Sequence, residues 1–142
     1  MERVYTTPLL DKLGIRPGMR VAIVGALEDD DESAGADGPF VTRVAQLTSD
    51  ITEGRPEPES DIVLLAADTT AELATLADLR PRIRSNGAIW VVSRKGRAAT
   101  IRDVEVIAAA RENGLVDNKV VSFSTSRTAL RLVIPVALRP KG

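Results

Sequence analysis

Three short apolar runs set the terms on which this chain can fold: Met19 to Leu27 (MRVAIVGAL), Asp61 to Ala67 (DIVLLAA) and Gly87 to Ser93 (GAIWVVS). Each is rich in β-branched residues, reads as a continuous apolar stretch rather than an alternating one, and is bounded by proline, glycine or charge. That is the pattern of a strand buried on both faces, as in a parallel sheet covered by helices.

The segments between the runs carry helical signals. Thr69 and Glu72 have the spacing of a capping box, and Leu73, Leu76 and Leu79 recur at helical intervals. Pro81 is expected to end that helix near Arg80, and Ser85-Asn86-Gly87 to supply the turn into the third run. Thr100 with Asp103 opens another helix through Val104, Ile107, Ala108 and Arg111, closed at Asn113-Gly114. Upstream, Pro8 to Gly18 reads as a short amphipathic helix or turn followed by a tight turn. A further helix is expected from Phe40 through Val41, Val44 and Leu47, then a short strand around Ile51 and a proline-rich loop over residues 55–59. Lys119 to Thr125 and Ala129 to Val136 flank a short polar turn and read as an antiparallel hairpin. Together these elements predict an α/β fold: one Rossmann-like three-layer domain over residues 1–142, its sheet mostly parallel with right-handed crossovers and an antiparallel C-terminal hairpin. A chain of 142 residues suits one well-buried core.

The chemistry open to such a domain is narrowed by what the chain lacks. It contains no histidine and no cysteine. Catalysis by Ser-His-Asp or Cys-His groups is excluded, as are disulfides and thiolate metal sites, and a metal would have to rest on carboxylates alone. No catalytic or metal-binding residue is assigned. No run approaches the roughly 18 apolar residues that span a bilayer, and the amino terminus lacks a signal-peptide pattern, so a cytoplasmic location without membrane partners is expected.

Charge is distributed unevenly. Net charge is −1, yet residues 1–79 carry sixteen acids against six bases, and residues 80–142 four acids against thirteen bases. The acids culminate in the loop 28–39 (EDDDESAGADGP), expected to be flexible, with five consecutive carboxylates at Glu28 to Glu32. It does not fit an EF-hand, since Ala34 and Phe40 fall where that loop needs glycine and glutamate. The stretch 80–102 contains no acid and includes Arg94, Lys95 and Arg97 just after the third run. Two readings stand: an anion or nucleic-acid site, or a solvated loop that offsets the acidic one. With only Tyr5, Phe40, Trp90 and Phe123 as aromatics and no interleaving of basic and aromatic residues, nucleic-acid binding is not expected, and Trp90 reads as core.

The order of elements, and the segment Leu79 to Val91 in particular, resembles the S-adenosylmethionine-dependent methyltransferase fold, shortened by about one strand and helix. More narrowly, PLLDKLGIRPGMRVAIVGA, NGAIWVVSRKG and ARENGLVDNKVVSFSTSRTALRLVIP resemble a bacterial family of small methyltransferase-like proteins of unknown function. That resemblance implies a fold and brings no activity with it. In methyltransferases of this fold the first strand leads into a Gly-x-Gly type loop that lets the backbone approach the cofactor. The corresponding stretch here, Val24-Gly25-Ala26-Leu27-Glu28, keeps only Gly25 as a cofactor-binding remnant. Asp50 and Glu53 are the candidates for the acid that holds the ribose. Asp68, at the carboxyl end of the second run, could meet a ligand or simply start a turn while Thr69 caps a helix. Arg94, Lys95 and Arg97 complete the candidate ligand-binding set. The expectation is a degenerate, non-catalytic binding or regulatory domain without a cofactor. Its alternatives are an atypical methyltransferase that binds S-adenosylmethionine, and an anion or nucleic-acid binder acting through residues 94–97. Exposed sheet edges leave room for a homo-oligomer.

Overall fold

A computed structural model describes residues 8–27 and 39–139. The acidic loop lies almost wholly outside the described residues, and any pairing of it with the basic loop at 94–97 lies outside them too. In chain order the elements are α1 (Pro8–Leu13), β1 (Val21–Val24), α2 (Phe40–Ala45), β2 (Ile51–Glu53), β3 (Ser60–Ala66), α3 (Thr70–Leu73) and α4 (Leu76–Leu79). A 3-10 turn at Arg80–Arg82 leads into β4 (Ile83–Arg94), α5 (Asp103–Glu112), β5 (Val116–Ser122) and β6 (Arg127–Val133).

The six strands form one sheet in the order β2-β1-β3-β4-β6-β5. The first four are mutually parallel, while β6 runs antiparallel to both β4 and β5. The three apolar runs are β1, β3 and β4, side by side at the centre. Ile23, Leu64 and Trp90 point into one core layer with Leu10, Leu13, Phe40 and Val44, whereas Ala22, Val63 and Ile89 point into the other beneath α3, α4 and α5. Burial on both faces is why these strands read as unbroken apolar runs. Trp90 is fully buried, and its indole N–H donates to the Leu13 carbonyl at 3.1 Å, which fastens α1 to the sheet and satisfies the ring's polar atom.

Several local expectations are refined. Thr69 Oγ1 accepts the Glu72 N–H at 3.0 Å, but the Glu72 carboxylate takes the Asp68 N–H at 2.8 Å, one residue before the reciprocal partner of a capping box. Leu73, Leu76 and Leu79 are all buried, although two short helices carry them rather than one. Ser85-Asn86-Gly87 is not a turn: β4 already begins at Ile83. The β3–β4 ladder pairs Ser60 with Ile83 and Ile62 with Ala88, so β4 carries extra residues in a bulge. Gly87 makes this feasible, because a Cβ there would lie 2.9 Å from the carbonyl oxygens of both Ser60 and Asp61. Thr100 does not cap α5; its hydroxyl donates to the Asp68 carbonyl, and the Arg102 N–H is met by Glu105 at 2.9 Å. The Asn113-Gly114 stop holds, with the Leu115 N–H returning to the Ala110 carbonyl at 2.9 Å.

The link from β2 to β3, residues 54–59, contains no helix. Parallel crossovers take about ten to twelve residues or more when they include one. Here a short segment of bends and a turn makes the connection with Pro56 buried, held by Arg82 donating to the Pro56 carbonyl at 2.9 Å and by Arg20 donating to that of Pro58. No helix of the described residues is long and apolar enough to cross a membrane.

Candidate functional site

Because β1 to β4 are parallel, their carboxyl ends share one edge, where open α/β sheets place ligands. Gly25 leaves β1 at that edge with φ of +88°, in the left-handed region that disfavours side chains. A Cβ there would also come within 3.1 Å of Ala66 Cβ. Gly25 thus has a local steric reason to be glycine. Two residues on, Leu27 turns back into the protein: it is 5% exposed and packs in the layer that holds Leu10, Leu13 and Phe40.

The two candidate acids separate. Asp50 precedes β2 at the opposite edge and binds the Arg20 side chain, with Nε 3.0 Å from Oδ2. This hydrogen bond and the attraction of the same carboxylate raise the Arg20 pKa above its ordinary value. Glu53 is the last residue of β2 and is exposed at the carboxyl edge. From Val24, Gly54, Arg55 and Pro56 an open cleft of about 650 Å³ runs along this face of the sheet past α4 to Pro81 and Arg82 at the amino end of β4. The cleft begins at Val24, the residue before Gly25, and Gly25 itself is not part of its lining.

Asp68 is the centre of a polar hub rather than an isolated acid. Its Oδ1 accepts the Arg94 N–H at 2.8 Å, its Oδ2 lies 3.6 Å from Arg127 Nη1, and its carbonyl accepts the Thr100 hydroxyl. It joins the ends of β3 and β4, the approach to α5 and the start of β6. Arg127, 3% exposed, had no signal in the sequence. It sits in a run of hydroxyl residues that reads as a polar turn, and only the antiparallel placement of β6 beside β4 buries it.

The acid-free stretch 80–102 does not form one patch. Arg80, Arg82 and Arg84 lie at the start of β4, where Arg84 pairs with Asp61 at 3.0 Å and Arg80 Nε donates to the Gly114 carbonyl at 3.4 Å. Arg94 stands at the far end of this 12-residue strand, roughly 25 Å away when the bulge is measured against the β3 ladder. Arg94, Lys95 and Arg102 line a hollow of about 430 Å³ with Ser93 and Thr128; Arg97 lies outside its lining. The Lys95 ammonium donates to Ser122 Oγ at 2.7 Å. Among the described residues no cluster of three or more acids is disposed to hold a metal ion.

A mostly parallel sheet closed by an antiparallel β6-β5 pair, with helices on both faces, defines a methyltransferase-like α/β domain. The pyocyanin biosynthetic protein PhzM superposes with a TM-score of 0.63 at 14% identity, over 89% of this chain and 53% of that one. Magnesium protoporphyrin IX methyltransferase from Synechocystis PCC 6803, solved with bound S-adenosylmethionine, gives 0.57 at 14% identity over 89% and 74%. Aeropyrum pernix fibrillarin, with natively bound S-adenosyl-L-methionine, gives 0.55 at 16% over 85% and 69%. At such identities the likeness is one of fold, and the chain spans about half the length of PhzM. Residues 10–136 match the model of a family described as a protein of unknown function, DUF3052, and the chain belongs to that family. No curated protein matches it in sequence.

Proposed function

We propose that this is a degenerate methyltransferase-like domain that binds a ligand or partner at its carboxyl edge without performing methyl transfer. The observation that carries this reading is Leu27. It stands where the loop of a Gly-x-Gly type site has its second glycine, and its side chain is anchored in the core layer of Leu10, Leu13 and Phe40, so the loop carries a buried leucine in place of that glycine. Two further features support it. The Asp68 carboxylate is engaged by Arg94 and Arg127, and the chain has no histidine or cysteine to serve as base or nucleophile.

One observation favours a second reading, an atypical S-adenosylmethionine-binding protein: the cleft at Val24 and Gly54 is open, with Glu53 exposed beside it. Calorimetric titration with S-adenosylmethionine and with its demethylated product separates the two. The expected result is no heat of binding at near-millimolar ligand. Saturable one-to-one binding of either compound would overturn the loss of the cofactor site on which the first reading rests and favour the second.

A further inference from the structure

On the face of the sheet opposite α5, a hollow of about 290 Å³ lies between the end of α1 and the β6-β5 hairpin. Four cations line it: Lys12, Arg16, Lys119 and Arg131. Asp11 is the one acid in its wall, and Trp90 lies against its inner side. The Lys119 ammonium reaches across to the Lys12 carbonyl at 3.3 Å, which draws the hairpin toward α1. Arg131 is opposite Trp90 in one ladder and opposite Lys119 in the next, so the three share a face.

That lysine–arginine juxtaposition is not what a regular ladder would give. Asp117 pairs with Leu132, and unbroken antiparallel register would put Asn118 opposite Arg131. The ladder slips there, and Lys119 takes the position instead. Like charges placed directly across two strands destabilise a sheet. Arg131 is moreover partly buried, and no carboxylate of the described residues pairs with Lys12, Arg16, Lys119 or Arg131. Burial, and after it the charge of Arg139, push the Arg131 pKa below its ordinary value. The fold thus brings cations together, at a cost, around a concavity.

We infer that this hollow binds a small dianion, a phosphate or phosphomonoester group, clasped by Arg131, Lys119, Arg16 and Lys12. A guanidinium fork matches tetrahedral oxyanions with two parallel hydrogen bonds, and the lysines add point charge. The volume stands at the lower end of the roughly 300–1,000 Å³ typical of small-molecule pockets, which fits a phosphate with a small substituent rather than a polymer. The site shares no residue with the cleft at Val24 and stands whether or not that cleft takes a cofactor.

Trp90 is the only tryptophan, so its indole N–H gives one unambiguous reporter inside the wall. The full chain is titrated with inorganic phosphate in ¹H–¹⁵N spectra, chloride being exchanged to hold ionic strength constant. The expected result is a saturable shift of the Trp90 indole resonance, with affinity in the low millimolar range or tighter. Arg131→Gln should weaken it at least tenfold and leave the thermal midpoint unchanged or raised. Lys119→Gln, at an exposed position, should weaken it several-fold and provides the test should the arginine variant fail to fold. A non-saturating response, an equal response to chloride, or unchanged affinity in the folded variants would overturn the assignment.

Discussion

Replacing Asp68 separates a residue that fastens the fold from one reserved for a ligand. Its carboxylate faces Arg127, whose side chain is 4% exposed, while its own is 27% exposed. Removing one partner of a buried ion pair costs about 3–5 kcal/mol, because the other charge remains desolvated. The 3.6 Å separation and the partial exposure of Asp68 place this pair toward or below the lower limit, at about 2–3 kcal/mol. Asp68→Ala also leaves the Arg94 N–H without its acceptor, for about 1 kcal/mol more. The expected loss is therefore about 3–4 kcal/mol for Asp68→Ala and about 2–3 for Asp68→Asn, whose amide oxygen can still accept from Arg94. Arg127→Met introduced into the Asn variant removes the buried guanidinium that faced the lost carboxylate, so the double variant should be more stable than the sum of the single ones predicts, by about 1–2 kcal/mol. Urea unfolding monitored by Trp90 fluorescence measures the wild type, the three single variants and the double variant. A loss below about 0.5 kcal/mol for Asp68→Ala, or additivity within that margin, would refute a stabilising role and return Asp68 to the candidate ligand-binding residues.

Two further substitutions test the packing that shapes the carboxyl edge and the bulge. Gly87→Ala should destabilise by about 1–3 kcal/mol, as its Cβ meets two backbone carbonyls at 2.9 Å and neither strand can yield without breaking the ladder; an unchanged urea midpoint would refute the close approach. Leu27→Ala should lower stability by about 2–5 kcal/mol, the range for truncating a buried leucine, and a cost typical of a surface site would mean that the loop after β1 does not pack as described.

The central sheet was legible in the sequence because burial on both faces leaves a local trace: β1, β3 and β4 each read as an unbroken apolar run. Helix ends were legible where a side chain meets a backbone group a few residues away, as at Thr69 or Asn113-Gly114. Features that depend on two distant segments were not. Gly87 carries the same letters whether it closes a turn or lets β4 pass the Ser60 and Asp61 carbonyls. The division of residues 80–102 between opposite edges depends on β4 continuing back to Ile83. At the site, Gly25 and Asp68 were found as residues of interest, yet the reason each takes its form, contact with Ala66 for one and with Arg127 for the other, comes from chain 40 or more residues away.

The open cleft itself follows from the length of one connection. Val24, Leu65 and Val91 are level neighbours across β1, β3 and β4 and face the same side. Leu65 and Val91 are buried, at 2% and 1% exposure, but Val24 is only partly covered. The difference is what lies above them. A helix in the β2-to-β3 crossover would cover Val24; six residues suffice to bring the chain back to β3 but not to build that cover. The cleft is therefore what remains when a crossover is shortened, and its presence alone does not argue for a retained cofactor. Leu27 weighs more, because the shortened crossover imposes no need for it. Its side chain enters the opposite core layer, beside Phe40 and Leu10, and ties the loop after β1 to the core through apolar packing.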